Sequence, residues 1–121
     1  VDILNEFETK FENVYNVAGK LTLDEELDLI SNLDVMLSMD SGNAHIAAML
    51  GVKVLTIWGV THPFAGFASF NQPADYALLS DRNQFPEIPT SIYGNKYPEN
   101  YKEVSRSISP EMVIEKIKSI I

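Results

Sequence analysis

The chain has 121 residues, 45% hydrophobic and 21% charged, which suits one packed domain and excludes a disordered segment. Its formal net charge of −8 argues against a nucleic-acid-binding face, which needs a basic patch, and against broad docking to an acidic membrane. It has no cysteine, which excludes disulfides and thiolate metal sites and fits a reducing cytosol, and no apolar run long enough for a membrane span or a signal peptide.

In chain order, Ile3, Leu4, Phe7 and Phe11 recur at helical spacing, with Glu6, Glu8, Lys10 and Glu12 on the other side, and predict an amphipathic helix. Val14 to Val17 reads as a short strand closed by Ala18-Gly19. Thr22 and Glu25 have the spacing of a capping box and start a second helix, whose apolar stripe of Leu23, Leu27, Ile30 and Leu33 is expected to lie on a sheet. Asp24, Glu25, Glu26 and Asp28 crowd its N-terminal half, where negative charge complements the helix dipole, so they need no metal ion to explain them.

Residues 34–59 organise the rest. Val35 to Met39 is a short, mostly apolar run, as a buried parallel strand should be. Asp40-Ser41-Gly42-Asn43 is a turn and helix-cap sequence. Ala44 to Leu50 is a short helix of small apolar residues, Gly51 suits the left-handed position past its end, and Val52 to Trp58 is a second strand. This is one βαβ unit, and its turn lies at the carboxyl edge of the sheet, where open α/β sheets bind ligands. A helix start directs free N–H groups and partial positive charge at that edge, which suits a phosphate. Gly42 allows close backbone approach, Ser41 and Asn43 offer side-chain hydrogen bonds, and His45 stands near the same mouth. Asp40 would repel a phosphate and fits sugar hydroxyls better. Taken singly, Asp40 or Ser41 serves as an ordinary N-cap, Gly42 as a turn residue and His45 as a helix-end histidine. The combination between two apolar strands points to a ligand.

Beyond Gly59, Thr61 to Phe67 is a loop leaving the ligand edge, in which His62 is either a phosphate or acceptor contact or a plain polar loop residue. Tyr76 to Ser80 reads as a further strand. Asp81 to Lys102, rich in proline and tyrosine, is a loop of unusual length. Ser109-Pro110-Glu111 starts a closing helix with Val113, Ile117, Ile120 and Ile121 on its apolar face.

Asp40-Ser41-Gly42-Asn43-Ala44-His45, followed by Gly51-Val52 and an apolar strand closing on Trp58-Gly59-Val60-Thr61, resembles the signature of glycosyltransferase family 9, which holds the ADP-heptose:lipopolysaccharide heptosyltransferases. The family pattern is Asp-Ser/Thr-Gly, two residues, His, a short helix, Gly-x-Pro, a strand and Phe-Gly-Pro-Thr. Val17-Ala18-Gly19-Lys20-Leu21-Thr22-Leu23 is similar to the family's Gly-Lys-x-Ser/Thr-Leu. Lys53, Trp58 and Val60 depart from the pattern, standing where Pro, Phe and Pro are usual.

The resemblance implies a Rossmann-like parallel α/β sheet, the C-terminal half of a GT-B glycosyltransferase. Residues 1–121 would then be a single nucleotide-sugar-binding domain, a fragment of a two-domain enzyme inactive without its N-terminal domain. The implied reaction moves a heptose or related sugar from an ADP-sugar to a lipid-linked lipopolysaccharide core acceptor. The donor site would comprise Asp40, Ser41, Gly42, Asn43 and His45, with Lys20 and Leu21 against the adenosine. No cofactor and no metal are implied. The general base would come from the N-terminal half. The location would be cytoplasmic, free or peripheral at the inner face of the inner membrane. Two rival readings use the same turn differently: a stand-alone nucleotide- or sugar-phosphate-binding module without catalysis, and a flavodoxin-like interaction domain whose turn binds nothing.

Overall fold

In a computed structural model of the chain, residues 2–39, 41–58, 69–79, 84, 88 and 107–121 are described. They form α1 (Asp2–Lys10), α2 (Leu23–Ser31), β1 (Val35–Met39), α3 (Gly42–Met49), β2 (Lys53–Ile57), a single 3-10 turn (Ala74–Tyr76), β3 (Ala77–Leu78) and α4 (Pro110–Ile120). The three strands lie in the order β1-β2-β3, and both pairings are parallel. The β1–β2 register runs unbroken from Val35 opposite Lys53 to Met39 opposite Ile57, which is the βαβ unit expected over residues 34–59.

Alternation along the strands sends successive side chains to opposite faces and builds two cores. Val54 joins Ile30, Ala44, Ala47, Ala48 and Val52, with Leu33, Met36 and Ile46 packed against them, under α2 and α3. Leu55 joins Leu78, Ile108 and Ile120, with Val35, Ile57, Val113 and Ile117, under α4. Helices therefore cover both faces, as a parallel sheet requires.

Local chemistry fixes the helix ends. Thr22 and Glu25 form the expected capping box: the Thr22 hydroxyl accepts from the Glu25 N–H, and the Glu25 carboxylate accepts from the Thr22 N–H at 2.9 Å. Ser109 caps α4 by accepting from the Met112 N–H. At the far end of α3, Gly51 has φ +81°; its N–H donates to Ala48 O at 3.1 Å and the Val52 N–H donates to Ala47 O at 3.0 Å. Those two bonds are a Schellman motif, and the left-handed residue it needs is cheap only for glycine. Lys53, where the family usually has proline, donates its ammonium to Ile120 O at 3.0 Å and so closes the last turn of α4.

Gln72 serves β2 in a way that the sequence did not announce. Its amide oxygen accepts from the Val54 N–H at 2.8 Å, and its amide nitrogen donates to Val52 O at 3.3 Å. The side chain thus stands in for a strand backbone along the first half of β2. The β3 ladder takes over at Thr56, and the Trp58 N–H extends it to Leu78 O at 2.8 Å.

Four expectations need correction. Val14 to Val17 is not a strand in the described residues, because a strand is defined by a ladder and this segment has no ladder partner. Leu23 does not join the stripe of α2; as the first helical residue it stays 65% exposed. Ile121 lies past the end of α4 and is exposed, not part of its buried face. The strand expected from Tyr76 to Ser80 is shorter, because Ala74 to Tyr76 winds into a 3-10 turn first. The loop of residues 61–67 and all of residues 81–102 except 84 and 88 lie outside the described residues.

Candidate functional site

The site is the turn between β1 and α3. Ser41 is the N-cap of α3, extended at φ −153°, ψ 167°, yet its side chain accepts nothing from the helix. Its hydroxyl lies instead 2.9 Å from that of Ser38, the one polar residue of β1. The α3 start is therefore unlike those of α2 and α4: among the described residues no side chain caps its first amides. Ser41, Gly42 and Asn43 are all exposed residues at the carboxyl end of β1, where the first N–H groups of a helix have no partner within it.

Gly42 carries a second sign. Its φ is not in the left-handed range, and a Cβ built there would meet nothing within 4 Å. Neither backbone conformation nor packing among the described residues asks for glycine at this position.

Behind the turn, the small residues Ala44, Ala47 and Ala48 are buried against the sheet and let α3 lie close to β1 and β2. His45 is half-buried on the same helix. Asp40, expected in the donor site, lies outside the described residues.

A cavity of about 450 Å³ opens beside this turn. Asn43 lines one part and Leu21 another, so two of the expected site residues, 22 positions apart in sequence, meet around one space. Ala18, Val17, Leu29, Ile30, Leu33 and Met36 make most of it apolar. Gly19, at φ +70° in the turn closed by the Lys20 N–H to Val17 O bond of 3.1 Å, brings Leu21 to the opening. Lys20 does not line the cavity. Its ammonium stands 3.6 Å from the Glu8 carboxylate, and about half of the side chain is exposed.

Sequence reasoning passed over Ser38, Asn16 and Glu26. Ser38 anchors Ser41, and its signal was available: a lone hydroxyl in an apolar strand. Glu26, taken only as part of the acidic α2 start, is the one charged residue lining the cavity among the described residues, and Asn16 lines it too. Among the described residues no group of three or more His, Asp or Glu is arranged to hold a metal ion, and no helix is long and apolar enough to cross a membrane.

A parallel α/β sheet with helices on both faces and a helix start at its carboxyl edge, beside an apolar cavity, defines the class of open α/β domains, whose ligand sites lie at that edge. The chain belongs to glycosyltransferase family 9 (heptosyltransferase), whose family model matches residues 1–97. It is 44% identical over 107 residues to the lipopolysaccharide core heptosyltransferase OpsX of Haemophilus influenzae, covering 87% of this chain and 30% of that protein. It is 30% identical over 106 residues to lipooligosaccharide heptosyltransferase 2 of the same organism, covering 88% of this chain and 29% of that protein. The chain thus spans less than a third of the length of either relative. No solved structure matches it.

Proposed function

We propose that residues 1–121 are the donor-binding part of a glycosyltransferase that moves a heptose or related sugar from an ADP-linked donor to a lipopolysaccharide core acceptor. The observation that carries the reading is the uncapped start of α3, with Gly42 open in front of it and Leu21 and Asn43 around the adjoining cavity. The names of the two relatives supply the sugar class and the acceptor class.

In this reading the donor's diphosphate sits against the N–H groups of Ser41, Gly42 and Asn43. The nucleoside extends over the apolar cavity past Leu21, and Lys20 stands beside it. Transfer forms a bond from an acceptor hydroxyl oxygen to the anomeric carbon and breaks the bond from that carbon to the diphosphate oxygen, which leaves with the electron pair. Amides already aimed at that oxygen stabilise the growing charge without reorganising. The α3 dipole and His45 add to the field. Asp40 holds sugar hydroxyls, and the base that takes the acceptor's proton comes from polypeptide outside residues 1–121.

The test is a donor screen on the full-length protein by calorimetry, with ADP-, GDP-, UDP- and dTDP-sugars. An ADP-sugar is expected to bind tightest, and EDTA to leave its affinity unchanged. Tightest binding of another nucleotide would overturn the donor assignment. ADP-sugar binding without transfer to deacylated lipopolysaccharide core would turn the protein into a binding module.

A further inference from the structure

We propose that Asn5 and Glu8 of α1 are positioning residues: acting through Asn16, they fix Leu21 at the mouth of the cavity and so set the affinity for the donor's nucleoside without touching it. This rests on the donor reading and adds to it the residues that hold its nucleoside side in place.

Leu21 needs such support. It lines the cavity yet belongs to neither core, so packing among the described residues does not fix its place. The backbone leading to it must do so, and that backbone bends twice. The Ala18 N–H donates to the Asn16 side-chain oxygen at 3.0 Å, an Asx turn. The Lys20 N–H then donates to Val17 O at 3.1 Å across a second turn, with Gly19 left-handed at φ +70°. Residues 14–18 make no ladder among the described residues, so no sheet holds these turns.

The helix α1 holds them instead. Asn16 is only 7% exposed and is tied to α1 twice. Its side-chain nitrogen donates to the Asn5 side-chain oxygen at 2.7 Å, and its backbone N–H donates to the Glu8 carboxylate at 3.0 Å. Asn5 and Glu8 stand three positions apart, which puts them on one face of the helix. The Asn16 amide has its oxygen turned to the Ala18 N–H, so its nitrogen needs an acceptor on the other side, and Asn5 is that acceptor. One buried amide thus joins the helix to the turn. Neither Asn5 nor Glu8 lines the cavity, so any effect of theirs on a ligand there must pass through the turn.

The remaining tie is weaker. The Lys20 ammonium stands 3.6 Å from the second Glu8 oxygen, but its side chain is 53% exposed, and an ion pair open to water contributes little. The hydrogen bonds to Asn16 are shorter and hold a buried residue, where a lost partner costs more. Glu8 therefore supplies geometry and not charge, and a neutral acceptor at position 8 should serve as well.

The test compares ADP with inorganic pyrophosphate by calorimetry, on full-length protein carrying Asn5→Ala and Glu8→Ala together and on Glu8→Gln alone. Asn5 is exposed and Glu8 half-exposed on their helix, and alanine is the best helix former, so the double variant is expected to fold. It is expected to bind ADP about tenfold or more weakly, since a contact displaced by about 1 Å is enough for that. Pyrophosphate has no nucleoside to meet Leu21, and its affinity is expected to stay within about twofold of wild type. In the transfer assay KM for the ADP-sugar should rise while kcat holds. Glu8→Gln keeps an acceptor for the Asn16 N–H and is expected to bind ADP within about threefold of wild type. Unchanged ADP affinity in the double variant would overturn the proposal. An equal loss of both ligands would overturn it too, because the ties would then serve the fold as a whole. So would a loss in Glu8→Gln as large as in the double variant, which would assign the effect to the charge beside Lys20. Wild-type protein that binds ADP no more tightly than pyrophosphate would overturn the donor reading itself, and this inference with it.

Discussion

The hydroxyl of Ser41 lies 2.9 Å from the hydroxyl of Ser38, so the N-cap residue of α3 is tied back to β1 and not forward to its own helix. The same side-chain type at the head of α4 does the reverse: Ser109 accepts from the Met112 N–H at 3.2 Å. The difference is what leaves the α3 amides open.

The stability costs of the cap residues should separate accordingly. Ser109→Ala and Thr22→Ala each remove a side-chain cap and are expected to cost about 1 kcal/mol. Ser41→Ala removes a hydroxyl pair at an exposed site and is expected to cost only a few tenths of a kcal/mol, the scale of an ordinary surface substitution. Urea denaturation of the three variants checks the order. A Ser41→Ala cost equal to the others would mean that Ser41 caps α3 in solution.

Gly42 gives the sharpest separation of binding from folding. A Cβ at this position meets nothing within 4 Å and the backbone is not left-handed, so Gly42→Ala is expected to hold or raise stability by about 0.4–1 kcal/mol through the unfolded chain. Gly42→Val should fold as well, but its branched side chain fills the space in front of the amides. A loss of ADP affinity of about tenfold or more, equal to 1.4 kcal/mol, is expected in the full-length protein. Unchanged ADP affinity in Gly42→Val would remove the phosphate from this turn.

Gln72 should behave as part of the sheet despite lying outside it. Gln72→Ala leaves the Val54 N–H, on a strand residue only 1% exposed, without its acceptor. The expected cost is about 1–3 kcal/mol, the penalty for an unsatisfied buried donor. Thermal denaturation measures it. Ala74→Gly on the neighbouring exposed turn serves as a control for loss of local order alone and should cost less.

What the sequence revealed followed the range of the interactions. The capping box at Thr22, the Gly51 turn and the strand–turn–helix around Ser41 depend on residues within a few positions, and all three were legible. The expected helix from Ala44 to Leu50 formed two residues earlier, at Gly42, because the extended backbone at Ser41 ends the turn there. Val14 to Val17 had the composition of a strand but no ladder partner among the described residues, and composition cannot report a partner. Gln72 was invisible for a related reason: a side chain that replaces a strand is recognised only when the strand that it serves is in place. The meeting of Leu21 and Asn43 was expected through family resemblance, and no local pattern joins them.

The alanines of α3 have a consequence for how the site can be changed at a distance. Ala44, Ala47 and Ala48 are between 0% and 5% exposed and act as the spacer between helix and sheet. Ala47 is fully buried between helix and sheet, so a larger residue there is expected to push the helix outward, at an overpacking cost of about 1–3 kcal/mol. The amides of Gly42 and Asn43 ride on that helix and would lift with it, away from the end of β1. Position 47 therefore sets the alignment of these amides from a distance, and under the proposed function a substitution there would read in an assay as a donor-site defect.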